Sequence, residues 1–172
     1  MAQPEYWLRG PVAGIPALLQ PAAHALLQAR DEVAAAMENF RDEWLWIRPA
    51  ANASVAFHLQ HLAGVLDRLY TYASAQPLNE EQLEYLRAEG REEAGVTAEE
   101  LLSHFSLQVE KSLAYLAGVD EQTLTDIRGV GRQQVPSTVI GLLFHAAEHT
   151  TRHTGQLLVT ASVVRHEYGD SL

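Results

Sequence analysis

The chain has 172 residues, 47% hydrophobic and 20% charged, with 22 acids against 12 bases and a formal charge of −10. That length suits one domain with a sizeable core, the apolar content is too high for a disordered chain, and the negative charge argues against a polyphosphate partner. No cysteine is present, which removes disulfides, thiolate metal ligands and a cysteine nucleophile, and is compatible with a reducing compartment.

Met1 to Glu5 lacks a basic region followed by an apolar run, and no stretch approaches the ~18 apolar residues of a membrane span. A cytoplasmic protein without a membrane partner is expected. Basic residues are scattered singly, and the one loop holding two, Arg128 and Arg132, is too sparse for a nucleic-acid patch. Residues 1–15, with the glycines and prolines of Trp7-Leu8-Arg9-Gly10-Pro11 and beyond, read as an irregular lead-in.

From about Pro16 or Pro21 to Phe40, Leu18, Leu19, Leu26, Leu27, Val33 and Met37 recur at three- and four-residue spacing, which predicts a first amphipathic helix. After the tryptophan-rich Trp44-Leu45-Trp46 turn, a second is predicted from Asn52 or Ser54 to Ala75 on Val55, Leu59, Leu62, Leu66 and Leu69, stopped by Pro77. An acidic segment, Asn79 to Glu89, predicts a short helix. Thr97-Ala98-Glu99-Glu100 has the capping-box form and opens a helix to about Ala117. The stretch Asp126 to Pro136 reads as a loop, and Ser137 is placed to cap a long last helix to about Val164. No segment alternates with period two for long enough to suggest a sheet. The expectation is all-α: one domain over residues 1–172, a four-helix bundle with one or two short extra helices.

Eight histidines are present, and five fall in two windows, His58 and His61 on the second helix and His145, His149 and His153 on the last. Positions 145, 149 and 153 repeat every four residues, and at ~100° per residue they make one stripe. Imidazoles four apart can reach one metal from the same side, a third ligand has to come from another helix, and three histidines leave a coordination position open. A lone histidine such as His24, His104 or His166 is ordinarily a hydrogen-bonded core or surface residue. No Glu-x-x-His pair or His-Glu-x-x-His occurs, which sets aside di-iron carboxylate and zincin chemistry. Gly129-Val130-Gly131 lacks the strand and third glycine of a dinucleotide fingerprint.

The run His149-Thr150-Thr151-Arg152-His153-Thr154-Gly155-Gln156, with His61-Leu62-Ala63-Gly64 and Asp67-Arg68 earlier, resembles the DinB-like superfamily, which includes the YfiT group. The resemblance implies a four-helix bundle, commonly a homodimer, with a Zn²⁺ or Ni²⁺ ion held by His61, His149 and His153. His58 and His145 have no secure counterpart as ligands and stand as possible additional ones, as parts of the pocket or as spare residues. Glu148, Arg152, Gln156 and His58 are the candidates to handle a small-molecule substrate.

With no cysteine and no serine–histidine pair, the metal is expected to supply the reactive group. It would either lower the pKa of water for hydrolysis or hold an external thiol as thiolate. The resemblance implies the second for some members, transferases that use a low-molecular-weight thiol, and the label of metal-dependent hydrolase for many others. A non-catalytic module stapled by its metal is the alternative, with His58 or His145 as a fourth ligand, and a bis-histidine haem bundle is a third. The lead-in from Trp7 to Gly14 is a candidate lid.

Overall fold

In a computed structural model, which describes residues 3–169, the regular elements are α1 (Gln20–Met37), α2 (Val55–Ala73), α3 (Glu80–Ala88), α4 (Ala98–Ala117), β1 (Ile127–Val130), β2 (Val135–Thr138) and α5 (Val139–Tyr168), with a few single 3₁₀ turns between. The helix starts follow local chemistry. Pro21 sits in the first turn of α1, where its missing N–H costs no hydrogen bond. Ser54 Oγ accepts from Phe57 N at 3.2 Å to open α2, and Asn79 with Gln82 and Thr97 with Glu100 form capping boxes at α3 and α4.

The four long helices enclose a common core in the cyclic order α1, α5, α2, α4. All five apolar positions read along α2, Val55, Leu59, Leu62, Leu66 and Leu69, are buried there. Trp44 is also buried, edge-on to Phe40 at 5.6 Å between ring centroids, so its apolar surface is used inside the fold. Among the described residues no helix is long and apolar enough to cross a membrane.

Three expectations need correction. The Asp126–Pro136 stretch contains strand β1 and leads into β2, an antiparallel hairpin in the register Ile127 to Thr138 and Val130 to Val135. Ser137, placed as the cap of the last helix, is instead paired opposite Arg128 within β2. Its neighbour Thr138 caps α5, its Oγ1 accepting from Gly141 N at 3.1 Å. Leu18 lies in the 3₁₀ turn before α1 and is 63% exposed, outside the core.

The short helix α3 differs from the rest in having no buried residue. Polar bonds hold it against α2: Gln82 Nε2 donates to Asp67 Oδ2 and Thr71 Oγ1, both at 2.8 Å, and the Tyr85 hydroxyl donates to the Gln60 carbonyl at 3.1 Å.

Candidate metal centre

The facing sides of α2 and α5 bring His61, His149 and His153 together. Each offers a ring nitrogen, and the three lie within 4.8 Å of one another. His61 Nε2 and His149 Nε2 stand 2.9 Å apart, and the His153 ring centroid is 4.5 Å from those of both His61 and His149. Phe57 stacks on His61 at 5.3 Å, giving the ring an apolar wall.

The orientation of His61 is set from outside α2. Its Nδ1 lies 2.7 Å from Glu89 Oε2, just past the end of α3, while the other Glu89 oxygen accepts from Arg68. An ionised carboxylate only accepts, so Nδ1 carries the proton and Nε2 turns its lone pair toward the other histidines. Burial would raise the Glu89 carboxyl, but the hydrogen bonds from His61 and Arg68 outweigh it and hold the group below the usual carboxylate range.

This explains the spacing of the earlier motif on α2. Asp67 and Arg68 hold Gln82 and Glu89 of the α3 segment, and Gly64 makes room for them. A Cβ on Gly64 would run into Glu89 Oε1, and would lie 2.6 Å from Arg68 Nη1 and 2.8 Å from Tyr85 Cε1. Gly90 completes the arrangement with φ of +79° and its N–H donating to Gln60 Oε1 at 2.8 Å.

His58 is buried, with Nδ1 3.3 Å from His153 Nδ1. Burial, helped by the nearby His61, pushes the His58 imidazole down to about 4. Burial and the surrounding His61, His149, His58 and Arg152 push His153 down to about 4 as well. His149 is lowered too, by burial first and then by its neighbours His61, His145 and Arg152. These three rings are therefore neutral at pH 7 and have lone pairs to offer, the form in which histidine binds metals. Three converging imidazoles, one with its lone pair fixed inward, fit a borderline divalent ion. Buried His149 Nδ1 has no hydrogen-bond partner among the described residues. Facing nitrogens 2.9 Å apart leave no slot for a flat porphyrin, so the haem reading does not fit this geometry.

The remaining candidates lie around this group. His145 is one turn back along α5, 2.7 Å from Glu148 Oε1, and Arg152 donates to the other Glu148 oxygen at 2.6 Å. Gln156, Arg152 and His58 line a cavity of about 520 Å³ beside the cluster. The lead-in does not cover it. Tyr6 N donates to Gln28 Oε1 and the Tyr6 hydroxyl to Asp31, tying the segment to α1, and Trp7 borders a different cavity, of about 390 Å³, with His24 and Thr154. His24 contacts the Gly10 carbonyl and His104 the Tyr85 hydroxyl, as hydrogen-bonded residues away from the cluster.

Sequence reasoning missed Glu89. It is one acid in an acidic segment, and nothing local sets it apart from Glu80, Glu81 or Glu84. The one available signal was Gly90 after it, a residue suited to the turn that brings the carboxylate back onto α2.

Comparison with known proteins agrees with this architecture. A sequence profile described as the DinB superfamily matches residues 25–157. A crystal structure described as a conserved protein from Enterococcus faecalis superposes with a TM-score of 0.66 at 19% identity, covering 86% of this chain and 96% of that one. At that identity the likeness speaks for the fold. No curated protein matches the chain.

Proposed function

The chain belongs to the DinB superfamily, and from that premise we propose that it is a metal-dependent enzyme acting on a small molecule, with Zn²⁺ or Ni²⁺ held by His61, His149 and His153. The observation that carries the proposal is the convergence of those three histidines, with Glu89 turning the His61 lone pair inward.

A divalent ion held by three neutral ligands supplies Lewis acidity at an open position, enough to activate water for hydrolysis or a low-molecular-weight thiol for transfer. None of the three ligands carries a negative charge, and Glu89 behind His61 is already paired with Arg68. An anionic nucleophile therefore suits the site. The thiol reading gains from one further observation: His58, 3.3 Å from His153, is pushed down to about 4 by burial and is a weak proton acceptor for a hydrolysis. Arg152 and Gln156, on the cavity wall, orient the substrate. Assembly as a homodimer is part of the proposal and rests on the resemblance alone; sedimentation at the monomer mass would remove it.

The test is metal content by mass spectrometry on untagged protein. About one ion per chain is expected, lost in His61→Ala, His149→Ala and His153→Ala while the helical circular dichroism survives. No ion after adding zinc or nickel would end the proposal. With Co²⁺ bound, a thiolate charge-transfer band on adding a thiol supports transfer. A site closed by His58 or His145 as fourth ligand would make the chain a non-catalytic module.

A further inference from the structure

The cluster has an exposed extension along α5. His145, Glu148 and His149 also offer one ligand atom each within 4.8 Å of one another, so His149 belongs to both groups. The His149 ring centroid is 5.1 Å from that of His145 and 5.1 Å from that of His61. Exposure falls along this line: the side chains of His145 and Glu148 are 48% and 31% exposed, against 18% for His61. Apart from the cavity lined by His58, Arg152 and Gln156, the other sides of the three-histidine group are walled by Phe57 and by the Glu89–Arg68 pair.

We infer that His145 and Glu148 form a loading site for a divalent cation, which passes from them through the shared His149 to His61 and His153. This rests on the three-histidine reading above. A hydrated ion sheds its waters in steps, and a carboxylate next to an imidazole on the exposed face replaces the first of them while adding the attraction of a negative charge. The hold of Arg152 and His145 on the two oxygens of Glu148 keeps the carboxylate in place until a cation arrives. Moving inward then needs only exchange of Glu148 and His145 for His61 and His153, with His149 retained.

Stopped-flow uptake of Co²⁺ by the metal-free full chain, read from its visible absorption, tests this in wild type, His145→Ala and Glu148→Gln. Both substituted residues are on the surface, and the fold is checked by circular dichroism. Each variant is expected to load about tenfold more slowly, with equilibrium affinity unchanged. Since His145→Ala leaves the Glu148 carboxylate in place, its slowing separates a loading ligand from the attraction of that carboxylate. Wild-type rates in both variants would overturn the inference and leave the three-histidine site standing. A loss of equilibrium affinity as large as that of His149→Ala would also overturn it, by making His145 a ligand of the resident ion. Failure of wild type to take up Co²⁺ would remove the three-histidine reading itself.

Discussion

Replacing glycine by alanine inside a helix ordinarily stabilises it by about 1 kcal/mol, and Gly64→Ala in α2 is expected to do the reverse. The new methyl would lie 2.6 Å from Arg68 Nη1 and 2.8 Å from Tyr85 Cε1, besides meeting Glu89 Oε1. The arginine and glutamate tips are ends of long side chains and can swing aside, but only by parting a buried ion pair and releasing His61. The tyrosine ring is stiffer, so α3 has to shift as well. Overpacking of this kind costs about 1–3 kcal/mol. After the helix gain is subtracted, a net loss of up to about 2 kcal/mol remains, or up to roughly 8 °C in melting temperature for a domain of this size. Metal affinity should fall at least about tenfold, as when the carboxylate behind a ligating histidine is disturbed. Chelator competition and thermal unfolding measure both. In a double-mutant cycle with Glu89→Ala, the cost of Gly64→Ala should shrink, because the group that the methyl strikes is gone. A variant that melts higher and binds metal as tightly as wild type would refute the reasoning.

Glu89→Gln keeps the shape but frees the His61 ring, and should weaken metal binding about 10–100-fold, measured with the same chelator. Arg68→Ala leaves Glu89 buried without its cation and should cost about 3–5 kcal/mol in urea unfolding, far more than removing an exposed arginine such as Arg87. In metal-free protein the folded-state values of His58 and His153, about 4, lie below the unfolded value of 6.5. The unfolded chain therefore takes up protons first, so stability holds above pH 6.5 and falls as the pH drops toward 4. Urea midpoints that stay level over that window would contradict the burial of neutral histidines. Thr97→Ala removes one half of the α4 capping box and should cost about 1 kcal/mol with metal content unchanged.

Much of the bundle was legible because its signals are local. The repeat of Val55, Leu59, Leu62 and Leu66 states which face of α2 is buried, and Thr97 with Glu100 states where α4 begins. The hairpin was not legible: each strand has four residues, one carries Gly129 and the other Pro136, and neither alternates. Ser137 reads as the cap on its residue type alone, but β2 runs one residue further and Thr138, itself paired with Ile127, makes the cap. Along α5 the histidine stripe follows from the pitch of a helix. Glu89 reaches His61 from 28 residues away through the docking of α3, and no periodicity encodes that contact.

That docking sets a limit on how the protein tolerates heat. A helix of nine residues with no buried side chain is too short to persist alone in water, and here it stays in place through a few hydrogen bonds and one ion pair. The four long helices are joined by a shared apolar core and should outlast it on warming. His61 would then lose its alignment while the bundle remained intact. Far-ultraviolet dichroism would report a sound protein several degrees beyond the point at which amide exchange finds α3 open and chelators begin to strip the metal.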